Sequence, residues 1–176
     1  MDIEFLKEIV FEFREALEKV VYKRLYGRLI IFGSFPSGCC RYTSDLLAEY
    51  IMQHGIPMED IQMIEGESHK KGYTHCWLLI DNFLTVDITA DQFSGINYFK
   101  KYEPISRCYV APCDMPSVHE CFNNFKMQKI YEVGIETYGG DISNKLKDVY
   151  NAVLEQIDAN SQRRLDYMRR YYNGLL

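Results

Sequence analysis

The sequence has no long apolar run, no surplus of positive charge, no low-complexity tract and no internal repeat. Nothing in it approaches the roughly 18 consecutive apolar residues that a membrane-spanning helix needs. The opening residues, MDIEFLKEIVFEFREALEKV, are broken by acidic side chains from Asp2 onward. They lack the basic start and uninterrupted apolar stretch of an export signal, so a cytoplasmic location without a membrane partner is expected. Lys and Arg number 20 against 25 Asp and Glu, for a formal net charge of −5. That balance lacks the basic footprint of a nucleic-acid-binding protein. The pairs Arg163-Arg164 and Arg169-Arg170 are a local exception, and a solvated face on a helix that also carries acids accounts for them. With no linker, the 176 residues are expected to form one domain, 1–176.

What is present fits a packed globular chain. Hydrophobic residues make up 47% and charged residues 26%, enough to bury a core. Aromatic residues are plentiful, with 14 Tyr and 10 Phe. They furnish either a tyrosine-rich core and surface or a groove lined by rings that holds a peptide-like substrate. The six cysteines, Cys39, Cys40, Cys76, Cys108, Cys113 and Cys121, point to free thiols, a metal site or a catalytic thiol rather than to a disulfide scaffold, given the absence of an export signal.

Periodicity predicts an amphipathic helix over 3–25 on Ile3, Leu6, Val10, Phe13, Leu17, Val20 and Val21, closed by Gly27. Leu29 to Phe32 is a short apolar run, and Gly33 to Gly38 is a loop. A second helix starts at Cys39 or Cys40 and runs to His54, where Gly55-Ile56-Pro57 stops it. Strands are predicted at 61–65, 73–80 and 83–89, with 66–72 a turn and Asp81-Asn82 a tight turn, and a short one at 108–110. Helices are predicted over 118–129, 143–157 and 160–172. The order argues for an α+β layer structure.

Cys40 follows a glycine-bearing loop and opens a helix. There the helix dipole and unpaired N–H groups favour the thiolate, which is the nucleophilic form. The same N–H groups could hold an oxyanion. His75 follows 35 residues on and Asp87 a further 12. Folding back about Asp81-Asn82 sets position 75 roughly opposite 88, so Asp87 becomes a near neighbour of His75, with the register and the shared face left open. A carboxylate there fixes the imidazole's tautomer and supports its charge. Taken singly, each residue has a plain structural role open to it: a small buried cysteine at a helix start, a satisfied histidine in a strand.

The segment Gly38-Cys39-Cys40, with Ser44, Leu46 and Gly55-Ile56-Pro57, resembles the nucleophile helix of the transglutaminase-like superfamily. His75-Cys76-Trp77 is similar to that family's His-Ala-Trp, and Val86-Asp87-Ile88-Thr89 to its Asp-Pro-Thr. The strings FPSGCC and DITADQF also resemble a group of small bacterial members. The likeness spans about 34–93, and Cys76 and Ile88 depart from the pattern. It implies a papain-like core, a nucleophile helix packed on a small antiparallel sheet; the predicted helices flank that core at the N-terminus and, over about 115–173, at the C-terminus. It implies Cys40 as nucleophile, His75 as base, Asp87 as orienter and Trp77 packed beside the site. The activity implied is a cysteine-dependent hydrolase or acyl transferase with a peptide-like amide substrate and no cofactor; a binding module of the same fold is the alternative.

Other residues stay in play. Cys39 competes with Cys40 for the helix tip, with the family's register favouring Cys40. Ser34 and Ser37 could shape an oxyanion site, and Gln92 could bind substrate. Asp91 replaces Asp87 if the hairpin register slips. A rival zinc reading uses Cys108, Cys113, His119 and Cys121, although their spacing matches no familiar knuckle; another uses Cys39, Cys40, His75 and Cys76. His54 is expected to cap a helix end, and His69 to be exposed in a turn.

Overall fold

A computed structural model describes residues 2–22, 32–68 and 72–173, with side chains omitted at 124, 133 and 162–173. The predicted helix end at 23–25, Gly27, the apolar run at 29–31 and His69 lie outside the described residues.

Helix α1 spans Ile3–Tyr22 and buries Leu6, Ile9, Val10, Phe13, Leu17 and Val20 along one stripe. Asp2 caps it, accepting the backbone N–H of Glu4 on its side chain at 2.9 Å. Helix α2 spans Cys40–Gln53. Gly38 has φ +74, a left-handed conformation that glycine adopts without a steric cost and that redirects the chain into α2. At the far end Gly55 donates its N–H to Met52 O and Pro57 follows, as the sequence leads one to expect.

Five antiparallel strands form one sheet in the order β4-β3-β2-β1-β5: β1 Ile61–Glu67, β2 Thr74–Ile80, β3 Leu84–Asp87, β4 Tyr109–Pro112 and β5 Asn123–Lys129. Helix α3 is a single turn, Ile130–Val133, and α4 runs unbroken over Gly140–Asn173. The chain is thus a mixed helix-and-sheet structure built on a small antiparallel sheet. No helix among the described residues is long and apolar enough to cross a membrane.

The two sheet faces are covered differently. Cys76, Leu78 and Ile80 of β2 join a core with α1, α2 and α4. Trp77, one residue out of phase, joins Ile64, Phe93, Phe99, Val118 and Phe122 on the opposite face, under short 3₁₀ turns at Ala90–Phe93, Asn97–Tyr102 and Val118–Cys121. Phe13, Phe93, Phe99 and Phe122 are core, whereas Phe5, Phe11, Phe83, Phe125 and Tyr131 are exposed.

Three expectations need correction. The helix predicted over 118–129 is a 3₁₀ turn followed by β5. The free edge of β1 accepts Asn123–Lys129 as a paired strand, a tertiary opportunity that outweighs the helical spacing of Val118, Phe122 and Phe125. The C-terminal helical region accordingly begins at 130 rather than 115. The two helices predicted over 143–157 and 160–172 are one, because nothing at Asp158–Asn160 breaks the backbone. The turn predicted over 66–72 begins later, since Gly66 and Glu67 extend β1.

Candidate active site

The hairpin turn decides the site. Asp81 and Asn82 both have positive φ, 54° and 52°, which Asp and Asn tolerate better than most residues. With Phe83 also in the turn, β2 and β3 pair Ile80 with Leu84, Leu79 with Thr85 and Leu78 with Val86. Continued one step, Asp87 lies opposite Trp77 rather than Cys76. This is one residue off the pairing read from Asp81-Asn82 alone. In a pleated sheet that step sets which face each side chain takes. Here it puts Asp87 on the same face as His75 and Trp77.

His75 and Asp87 are both buried, 0% and 1% exposed, and His75 Nε2 donates to Asp87 Oδ2 at 2.6 Å. Asp87 Oδ1 accepts the Thr89 backbone N–H at 2.7 Å and its hydroxyl at 3.1 Å. His119 donates Nε2 to the same Oδ2 at 2.9 Å, and its Nδ1 lies 3.0 Å from Ser117 Oγ. Burial alone would raise the Asp87 pKa, but the charge of His75 and hydrogen bonds from both imidazoles hold it well below the usual carboxylate range. Burial lowers the His119 pKa despite Asp87, so His119 is the neutral member of the array. Burial also opposes charge on His75, yet Asp87 and Cys40 raise it to about 9.

Cys40 sits at the tip of α2, partly exposed. Its thiol is close enough to the Cys76 thiol and the His75 ring for both to act on its ionisation. The neighbouring Cys76 thiol is the strongest influence on it. Burial opposes this, and His75 adds a hydrogen bond and a charge; together they bring Cys40 from 9.0 to about 5. Cys76 is correspondingly pushed far up by its bond to Cys40 and by burial. These shifts favour a thiolate–imidazolium pair between about pH 5 and about pH 9. Nε2 of His75 is committed to Asp87, which leaves Nδ1 for the sulfur. Gln92 Nε2 lies 3.1 Å from that Nδ1 while also donating to Thr89 O at 2.9 Å. Its amide favours the neutral ring, and the thiolate favours the charged one.

No side chain caps the start of α2. The first intrahelical bond is Thr43 N–H to Cys39 O, so the N–H groups of Cys40, Arg41 and Tyr42 have no helical acceptor. They supply donors for an anion formed at the sulfur.

Cys39 is a different kind of residue. It is buried in the core, its thiol donates to Pro36 O at 3.3 Å, and burial with the neighbouring Cys40 charge pushes it up to about 12. Ser34 and Ser37 are exposed and shape the loop, with Ser37 N–H donating to Ser34 O at 2.8 Å. Trp77 packs 5.5 Å from His75 and 4.8 Å from His119, ring centre to ring centre. Asp91 takes no part in the imidazole array; the buried Arg14, 1% exposed, holds it at 2.9 Å and also binds Glu18 at 2.8 Å. His54 does cap its helix, with Nδ1 2.8 Å from Tyr50 O.

The rival zinc sets do not converge. Among the described residues the one His/Cys/Asp/Glu group close enough to hold a metal is His75, Asp87 and His119. Sequence reasoning placed His119 in a cysteine set, and took Cys76 as a departure from a pattern and a ligand in the second rival zinc set. Strand alternation offered the signal for Cys76: with His75 on one face, its neighbour must face the helix that carries Cys40. Nothing local announces His119, which arrives from a loop 32 residues beyond Asp87.

Comparison with protein-family models, curated proteins and solved structures finds no match to this chain.

Proposed function

We propose that this chain is a cysteine-dependent hydrolase or acyl transferase with a transglutaminase-like, papain-like core, acting on a peptide-like amide. The observation that carries the proposal is the buried His75–Asp87 hydrogen bond at 2.6 Å, with Cys40 near that imidazole at an uncapped helix tip. The sulfur adds to the amide carbonyl carbon, and the carbonyl oxygen takes the electron pair, facing the free N–H groups of α2. Collapse re-forms the C=O and breaks the C–N bond as His75 gives its Nδ1 proton to the departing amine. The thioester then meets water, whose proton goes to Nδ1 while its oxygen bonds to carbon; the sulfur leaves as thiolate and the product is a carboxylic acid. An amine in place of water gives transfer. Asp87 stays ionised throughout and keeps Nε2 protonated. All six cysteines are free thiols, which supports a reducing compartment such as the cytoplasm.

The test is iodoacetamide labelling across pH with peptide mapping. Cys40 should label alone at low pH, with a midpoint far below the free-thiol value of about 8.5, and His75→Ala should abolish that advantage. Uniform labelling of accessible thiols refutes the reading. Turnover of peptide amides, lost in Cys40→Ala, separates an enzyme from a binding module of the same shape.

A second reading takes His75, Asp87 and His119 as metal ligands. Ligands at about 2.0–2.2 Å around a tetrahedral ion stand roughly 3.4 Å apart. The observed 2.6 and 2.9 Å separations are those of direct hydrogen bonds and favour the relay. Stoichiometric zinc in the purified protein, lost in His119→Ala, would favour the metal.

A further inference from the structure

A cavity of about 320 Å³ opens between α2, the Ile130–Thr137 segment and α4. That volume falls within the range of small-molecule sites, about 300–1,000 Å³. Met52, Met58, Ile130 and Ile135 make much of its wall apolar. Two buried polar side chains also line it. Asp45 is 1% exposed; its Oδ2 accepts the Tyr138 hydroxyl at 2.6 Å, and its Oδ1 has no hydrogen-bond partner. Tyr150 is 6% exposed, and its hydroxyl has no partner either. Both oxygens lie just behind the cavity wall, each with under 1 Å² of accessible surface; buried polar atoms are nearly always paired, so a donor entering from the cavity would satisfy them.

Charge says which donors. Asp45, Glu49 and Glu136 face the cavity, and Lys147, the one cation among the described lining residues, is already bound to Glu136 at 2.8 Å. Burial pushes the Asp45 carboxyl up to about 7, against the opposing pull of Tyr138 and Arg41. The site is short of positive charge.

We propose that this cavity binds a small organic cation, a primary amine on an apolar body, whose ammonium donates to Asp45 Oδ1 and the Tyr150 hydroxyl oxygen while the body packs on the methionines and isoleucines. An ammonium carries three donors and a full charge. An alcohol of the same shape offers one donor and no charge, and a carboxylate meets Asp45 and Glu49 head on. Asp45, Glu49 and Met52 recur at helical spacing along one flank of α2, whereas Cys40 and Ser44 define the neighbouring one. The inference therefore stands apart from the reaction proposed above.

Calorimetric titration of the full chain with phenethylamine, 2-phenylethanol and phenylacetate tests it. The amine should bind saturably at one site, at least about tenfold tighter than the alcohol, as a charge-assisted contact implies, and the acid should not bind. Asp45→Asn, which keeps an acceptor for Tyr138, should remove the amine's advantage, and Tyr150→Phe should weaken the amine severalfold. Equal affinity for amine and alcohol in the wild-type protein overturns the proposal, as does an amine affinity unchanged in both variants. The wild-type comparison decides even if a variant fails to fold.

Discussion

The Cys76 thiol should supply part of the Cys40 ionisation, and Cys76→Ala isolates that part. Cys40 is brought from 9.0 to about 5, with the Cys76 thiol the largest single influence and His75 next after the opposing effect of burial. A hydrogen bond to a charged group is worth about 1.5–3 kcal/mol, or about 1–2 pKa units at 1.36 kcal/mol each. A thiol is a weak donor, so the lower figure applies. The midpoint should rise from about 5 to about 6 in Cys76→Ala. The rate profile sharpens the test. At pH 5 the wild-type sulfur is about half ionised and the variant's about a tenth, but a thiolate of higher pKa attacks about threefold faster per unit. Iodoacetamide should therefore label the variant about twofold slower at pH 5 and about threefold faster at pH 7. Cys76→Ser, with a stronger O–H donor, should hold the midpoint at or below that of the wild type. Cys76 is 5% exposed, so melting curves must accompany the rates. If the Cys76→Ala midpoint coincides with the wild type, the thiol-to-thiolate bond is not what ionises Cys40, and the account of the site fails at its first step.

Turnover of an amide substrate should rise as pH increases through about 5 and fall through about 9, following Cys40 and His75; a maximum outside that window contradicts the ion pair. His119→Ala removes a buried donor from Asp87 and should cost about 1.5–3 kcal/mol in denaturant unfolding, with His119→Gln recovering part of it. Because Asp45 binds its proton more tightly when folded (about 7 against an ordinary 3.8), stability should decline as pH rises from about 4 to about 7; Asp45→Asn should flatten that slope in a Tm series. Arg14→Ala should cost about 3–5 kcal/mol, since it strands the Asp91 carboxylate, leaves Glu18 to Arg107 alone and frees the Ile88–Asp91 segment that follows Asp87. A Cβ at Gly66 would lie 2.8 Å from that of Phe122, so Gly66→Ala should destabilise by about 1–3 kcal/mol through overpacking, read as a lowered Tm.

Much of this molecule is determined by residues that act over a few positions. The stripe of α1, the glycine and proline around Gly55-Ile56-Pro57 and the strand pattern around Asp81-Asn82 are local matters, and their elements stand where periodicity and turn chemistry put them. Cys40, at a helix start after Gly38, and His75 and Asp87, on two strands of one hairpin, were legible for the same reason. What local patterns could not settle was anything that hangs on a pairing or on a distant partner. A single residue of hairpin register decided that Asp87 shares a face with His75, because side chains alternate across a strand. The open edge of β1 made a strand of Asn123–Lys129 against its helical spacing. Packing across the sheet brought His119 to Asp87 and Arg14 to Asp91, and it buried Cys39 while leaving Cys40 at the helix tip. Those outcomes depend on contacts between residues tens of positions apart, where burial and unpaired polar groups weigh more than the intrinsic preference of any short segment.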